Sequence, residues 1–370
     1  MPAVPRGQAA ASRVLELRLL PRPSGAGCQR GVIWIAVDAL GGDLAPGPIV
    51  AGALAAARHF DLGVVLVGPR DRLATELAHV HHDPERVRLV QAADVIGMAE
   101  APAAALRRKA GASIRVAAEL VARGEAAALF SAGHTGATVM AAHAAFGMIE
   151  GVDRPALAAT IPTRQRPAVL LDVGASVECR PAHLVQFAAM GSVYARVTFG
   201  IDVPRVALLS IGEEESKGNE LTREAHQLLK SLNVGGDRAR FVGNIEASEM
   251  YSGDADVIVC DGFTGNIALK VSEGLVETAS DLIARELGRA TQARKTLGVA
   301  RALRRFRSRM DYAEYGGAPL LGLGGIAIVG HGRSSARAVR NAVAMAHRFA
   351  SSGLIDRVAR EIAHSTVPHQ

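Results

Sequence analysis

From Val32 onward one unit recurs along the chain without strict repetition: an apolar strand, a glycine-rich or polar loop, then a helix. Strands alternating with helices imply parallel pairing, with helices covering both faces of the sheet. "VIWIAVDALGGD" leads into "PIVAGALAAARHF", and "AALFSAGHTGA" into "TVMAAHAAFGMI". "AVLLDVGAS" leads into "AHLVQFAAMGSVYA", with Pro181 as a first helical residue, and "RVALLSIGEEESKGN" into "ELTREAHQLLKSL". "ADVIVCDGFTGN" leads into "IALKVSEG", and "GIAIVGHGRSS" into "ARAVRNAVAMAHRF". "LGVVLVGPRDRLATELA" is a further strand and helix with a plainer loop. The expected class is α/β, a three-layer α/β/α arrangement around a largely parallel sheet. In the fifth unit Val257, Ile258 and Val259 read as a buried strand. Ile267, Leu269, Val271 and Leu275 begin a helix there, with Thr264 or Asn266 placed to cap it.

In such sheets ligands bind beyond the carboxyl ends of the strands. Polar residues gather at that end: Asp38, Asp43, Thr135, Asp172, Lys217, Asp261, Asn266 and His331. A ligand crevice built from several loops follows. "AGHTGA" (132–137) and "DGFTGN" (261–266) share a Thr-Gly at a helix start. That pair exposes backbone N–H groups and a hydroxyl to an anion, and both loops are expected in one sheet. Neither matches Gly-x-Gly-x-x-Gly or the Gly-x-x-x-x-Gly-Lys-Ser/Thr loop, so dinucleotide and ATP binding are unsupported and no cofactor is expected. The four aspartates lack paired-ligand spacing; they are expected to orient loop N–H groups rather than hold a metal.

Composition narrows the rest. A length of 370 residues allows about two domains. Aromatics make up 4% of the chain, too few for a base-stacking surface, so no nucleic acid partner is expected. Three scattered cysteines suit a reducing cytoplasm. No apolar run approaches the ~20 residues of a membrane span, which favours a soluble protein. Residues 1–31 are Arg-rich with Glu16 the only acid, read as a disordered extension, with a transit peptide as the alternative. Residues 32–365 then form one domain with a basic helical arm at about 275–312. Between Arg285 and Arg309 nine Lys or Arg face one acid, Glu286. Val299, Leu303, Phe306 and Met310 share a helical face, with Arg301, Arg304 and Arg305 largely off it. Such an arm packs with a solvated basic face, meets anionic lipid, or meets an acidic carrier protein.

Taken together, "IAVDALGGDLAP", "SAGHTGA", "RPAL", "LLDVGASVECRPAHLVQFA", "IGEEESKGN", "DVIVCDGFTGNIALKVSEG" and "EYGGAPLLGLGGIAIVGHGRSSARAVRNAV" resemble the PlsX phosphate acyltransferases. The resemblance runs in order from Ile33 to about Phe349. It implies a fold related to isocitrate and isopropylmalate dehydrogenases and to phosphotransacetylase, with a projecting helical arm. It implies a homodimer that makes acyl phosphate from long-chain acyl-[acyl carrier protein] and inorganic phosphate in bacterial phospholipid synthesis. It also implies a cytoplasmic, peripherally membrane-associated protein whose product passes to a membrane glycerol-3-phosphate acyltransferase. The family usually has Asn where this chain has His134, Ser176 and Ser210, and Met where it has Leu40. Rival readings are a phosphotransacetylase-like enzyme using acyl-coenzyme A, a non-catalytic scaffold binding carrier protein or membrane, and a metal-dependent decarboxylating dehydrogenase.

Phosphate attacking a thioester is already an anion and needs little base catalysis. It must be held beside a carbonyl oxygen that is itself becoming negative, a task for preorganised N–H donors and cations. Lys217 is the first candidate cation, against pairing with Glu213, Glu214 or Glu215. Lys270 lies a turn or two past "DGFTGN", facing either crevice or water. His331 either donates to phosphate or the leaving sulfur, or is hydrogen-bonded within its loop. Arg108, Lys109 and Ser113 in "RRKAGASI" resemble a basic family segment that meets phosphate or carrier protein. The expected binding set is completed by Asp38, Gly41, Gly42, Asp43, Gly133, His134, Thr135, Gly136, Asp172, Ser176, Asp261, Gly262, Thr264, Gly265, Asn266 and Ser334. A covalent role for the Cys179 thiol, near a helix start, is the alternative route.

Overall fold

The computed structural model describes residues 31–231, 239–290 and 315–364. Among them twelve strands form two sheets of seven and five. The first contains β1 (Ile33–Asp38), β2 (Leu62–Gly68), β3 (Val87–Gln91), β4 (Ala128–Ser131), β5 (Ala156–Leu157), β11 (Ala318–Leu321) and β12 (Ile326–Val329), in the order β3-β2-β1-β4-β12-β11-β5. The second contains β6 (Ala159–Ile161), β7 (Ala168–Leu171), β8 (Arg205–Ser210), β9 (Arg240–Glu246) and β10 (Val257–Val259), in the order β6-β7-β10-β8-β9. The α/β class holds, and all seven strands read from hydrophobic patterning are present. The division into two sheets is new.

The helices are α1 (Gly47–His59), α2 (Arg70–Ala78), α3 (Pro102–Arg108), α4 (Ser113–Ala122), α5 (Thr135–Phe146), α6 (Pro181–Phe199), α7 (Glu220–Ser231), α8 (Gly262–Ala290), α9 (Ala336–Ser352) and α10 (Leu354–His364). The central parallel strands β2, β4, β12, β7 and β10 are buried on both faces, as helix-covered sheets require, while the edge strands β3 and β9 are half-exposed. Ile35, Val37, Val64 and Leu66 join Ile49 and Leu54 of α1 and Val339 and Val343 of α9 in one core. Their neighbours Ala36, Val65 and Val67 join Ile114 and Leu120 of α4 and Ala142 of α5 in the other. Each fully buried aliphatic side chain contributes roughly 1.5–3 kcal/mol. No helix among the described residues is long and apolar enough to cross a membrane.

The segment 156–161 positions everything that follows. Its first half, β5, pairs antiparallel with β11, which is antiparallel to β12. β5 therefore runs in the direction of β1, β4 and β12. Its second half, β6, continues into the other sheet and pairs antiparallel with β7, to which β10 and β8 are parallel. The two parallel sets thus point their carboxyl ends at each other across this one crossing segment. The Thr-Gly loops correct the expectation of a single sheet, since one follows β4 and the other follows β10. They belong to opposed sheets because the chain crosses over between them.

Candidate active site

The first sheet contributes the loops after β1, β4 and β12. Ser131 Oγ donates to Asp38 Oδ2 at 2.7 Å and accepts from the Gly133 amide at 3.1 Å. The Asp43 amide donates to the Gly332 carbonyl at 2.8 Å, and the Gly330 amide to Ser131 O at 2.7 Å, so the three loops interlock. Gly41 closes over this knot: a Cβ there would lie 2.6 Å from Asp38 Oδ2 and 2.8 Å from the Gly133 nitrogen. Burial raises the Asp38 carboxyl pKa, against the pull of the Ser113 and Ser131 hydroxyls. Ser113, the first residue of α4, approaches that carboxylate without a hydrogen bond of full geometry, leaving its Oγ and Asp38 Oδ1 unpaired. Asp43 is exposed, and Gly42 lies beneath it against the carbonyls of Gly332 and Ala132.

At the start of α5, His134 is the N-cap, its Nδ1 accepting from the Gly136 amide at 3.1 Å. The imidazole therefore keeps the acceptor half of what an amide side chain offers there. Thr135 and Gly136 are half-buried in the first turn. His331 Nδ1 accepts from the Arg333 amide at 3.1 Å and its carbonyl accepts from the amide of buried Ser334 at 2.9 Å. The same loop carries Arg333, an exposed guanidinium that no motif marked.

The second sheet contributes the loops after β7, β8 and β10. Asp172 has no exposed surface, and its carboxylate organises the β7 loop. Oδ1 accepts from Leu157, Gly174 and Ala175 amides at 2.8, 3.0 and 3.0 Å, and Oδ2 from Ser176 at 2.6 Å. The Leu157 bond reaches across from β5, tying the two sheets together at this point. The Ser176 hydroxyl donates to Pro155 O at 2.8 Å, and its carbonyl accepts from the Gly262 amide at 2.9 Å. Gly262 and Gly265 let the start of α8 lie directly on this loop, with Asn266 beside Gly174.

Capping of α8 differs from expectation. The helix starts at Gly262, and Asp261 rather than Thr264 or Asn266 serves it: its carboxylate accepts from Thr264 N at 2.8 Å and Thr264 Oγ1 at 2.7 Å. A carboxylate one residue outside a helix reaches the free amide three positions on and suits the positive end of the dipole.

The cations separate. Lys109 is held by Glu100 at 2.5 Å and Val95 O at 2.7 Å, and Arg108 by Glu100 at 2.9 Å. The Lys109 hydrogen bond draws the Glu100 carboxyl down to about 2. Lys270 is exposed on α8 and paired with Glu273 at 2.9 Å. Lys217 is exposed in the β8 loop with no carboxylate partner among the described residues, because Glu215 pairs with Lys230 instead. Ser210 ends β8 with its hydroxyl buried and unpaired. Cys179 hydrogen-bonds to Ser176 O at 3.4 Å, and burial pushes its thiol up to about 11. A thiol so rarely ionised at neutral pH is a poor acyl carrier. Arg301, Arg304 and Arg305 lie outside the described residues.

Comparison with known proteins follows the same lines. The family described as fatty acid synthesis protein matches residues 33–357. The phosphate acyltransferase of Nitratidesulfovibrio vulgaris is 49% identical over 329 residues, covering 89% of this chain and 94% of its own. That of Geobacter sulfurreducens is 45% identical over 331 residues, with 89% and 94% covered. Among solved structures, a phosphotransacetylase from Streptococcus pyogenes superposes with a TM-score of 0.56 at 18% identity, covering 90% of this chain and 94% of that one. EutD phosphotransacetylase from Staphylococcus aureus gives 0.54 at 18%, with 89% and 94% covered. At that identity the likeness is one of fold. With the family pattern spanning residues 33–357 and relatives nearly half identical over most of the chain, the protein belongs to the PlsX family of fatty acid synthesis proteins.

Proposed function

We propose that the protein transfers a long-chain acyl group from acyl-[acyl carrier protein] to inorganic phosphate, giving acyl phosphate and the free carrier thiol. One observation carries this reading: two sets of strand ends face each other, and each presents a Thr-Gly helix start beside a buried aspartate. A phosphate oxygen attacks the thioester carbon, a C–O bond forms and the C–S bond breaks. Its electron pair leaves on sulfur, which then takes a proton. Amides at the starts of α5 and α8 suit the phosphate and the developing oxyanion, and Lys217 supplies an uncommitted positive charge. The same proposal assigns the residues named above as a binding set, with His331, to this site, and the facing strand ends support that assignment.

The test is direct. Purified protein given phosphate should consume long-chain acyl-[acyl carrier protein], and turnover with acyl-coenzyme A alone would overturn the choice of donor. In the same assay Lys217→Ala should lower the rate by about 100-fold, the usual cost of one lost oxyanion partner. An unchanged rate would remove Lys217 from the site.

The homodimer belongs to the same proposal. Phe263, Ile267, Val271 and Leu275 repeat every four residues along α8 and are 59%, 47%, 64% and 66% exposed. An apolar stripe of that length on one helix face favours a water-excluding partner. Replacing Val271 and Leu275 together by Glu should convert a dimer into a monomer by light scattering; an unaltered mass would rule out this face. Association with an anionic membrane through the basic stretch 285–309, and delivery of product to a membrane glycerol-3-phosphate acyltransferase, complete the proposal.

A further inference from the structure

The turn that presents Lys217 is held from behind by two buried side chains. The Lys217 amide donates to the Glu214 carbonyl at 3.0 Å. The same oxygen accepts from the side-chain amide of Asn244, on β9, also at 3.0 Å. Asn244 Oδ1 meets His226 Nδ1 at 2.8 Å, on the buried face of α7. Since Nδ2 of Asn244 is committed to Glu214, its Oδ1 is the acceptor, and His226 Nδ1 carries the proton. Phe241 fixes the imidazole edge-on, with ring centroids 5.1 Å apart. The other ring nitrogen lies 3.6 Å from the Glu215 carboxylate, which Lys230 holds from the far side.

Residues 213–217 are otherwise exposed, whereas His226 and Asn244 are 3% and 7% exposed. A water-facing loop is thus fastened by its backbone at Glu214 and by its side chain at Glu215, directly before Ser216 and Lys217. Neither buried residue belongs to a Gly-rich loop. Their hydrogen bonds converge on the turn: histidine donates to asparagine, asparagine donates to the Glu214 carbonyl, and that carbonyl also accepts from the lysine amide.

We propose that His226 and Asn244 are positioning residues that fix the Lys217 turn at the rim of the site; this rests on the reading of Lys217 as the cation facing the anionic reactant. Displacing a positioned group by about 1 Å can cost on the order of 100-fold in rate. Losing either residue should therefore resemble losing Lys217, though neither touches the reactants.

The test is a set of variants assayed with phosphate varied at saturating acyl-[acyl carrier protein], each with a thermal melt. Asn244→Asp puts a second oxygen against the Glu214 carbonyl and should lower kcat/KM for phosphate about 10- to 100-fold. His226→Phe, which keeps the packing on Phe241 but cannot donate, should do likewise. His226→Gln, whose amide can still donate to Asn244, should recover most of the loss. In the double variant Lys217→Ala/Asn244→Asp the losses should not add, because both changes remove one contribution. Additive losses, or normal kinetics in both Asn244→Asp and His226→Phe while Lys217→Ala is impaired, would overturn the relay alone. An unimpaired Lys217→Ala would overturn the relay together with the role of Lys217. Lower melting temperatures with kcat/KM intact would reduce the two residues to structural anchors.

Discussion

Alanine at position 265 is expected to abolish measurable turnover and to destabilise the fold by about 3 kcal/mol, the upper part of the usual overpacking range. Gly265 lies in the first turn of α8, pressed on the β7 loop. A Cβ there would run into the Asp172 carbonyl oxygen and sit 2.8 Å from Cys260 Sγ. That carbonyl has little room to yield, since the Asp172 amide is bonded to Cys260 O at 3.0 Å and its carboxylate to four further amides. The helix start must retreat instead, carrying Asp261, Gly262 and Thr264 with it. Alanine's better helix propensity, worth up to ~1 kcal/mol, opposes the clash without matching it. Gly274 supplies the control on the same helix. It is exposed, a Cβ there meets nothing within 4 Å, and Gly274→Ala should stabilise slightly while leaving turnover intact. Thermal melts and initial rates of the two variants decide the matter, and wild-type behaviour in Gly265→Ala would show that no such close approach exists.

That contrast marks what a linear reading could reach. Gly265 and Gly274 differ only in what lies across from them. The strand–loop–helix units were legible because apolar runs and their punctuation are local. So was the gathering of polar residues after strands, which follows from chain direction. The opposed sheets were not legible, because they depend on a crossing segment whose pieces are two and three residues long, between Pro155 and Pro162. Pieces that short carry no periodicity. The same limit applies to charges. The sequence ranks Lys217 first among the candidate cations but leaves all three open to pairing, and only the fold places Glu100 against Lys109 and Glu273 against Lys270. Ser131, Asn244 and His226 escaped notice because their partners lie on other elements: Ser131 and Asp38 are 93 positions apart. Asp172 was legible as an orienting residue, but not the number of amides it would gather.

Those amides make Asp172→Ala the second severe substitution. Four backbone donors would lose their acceptor inside the protein, each costing about 1–3 kcal/mol, so even the low end is near 4 kcal/mol. Conditions then matter, because the same carboxylate is costly to bury. Desolvation pushes its pKa up to about 6 from the ordinary 3.8, although the four amides pull downward. The folded chain therefore binds this proton more tightly than the unfolded chain does. The resulting stability is fully present below about pH 4 and is lost as pH rises toward 6, by about 3 kcal/mol in all. Asp172→Asn cannot titrate, so its unfolding free energy is the reference. Urea denaturation of both proteins should show wild type losing about 2 kcal/mol relative to the variant between pH 4 and 7. Parallel pH dependence in the two would mean that this carboxyl is not perturbed. At neutral pH the chain then carries a charge that weakens its fold while fixing four amides through one group. That fixed loop is the surface on which Gly265 seats the start of α8, so burial of the charge and closeness of the helix serve the same arrangement.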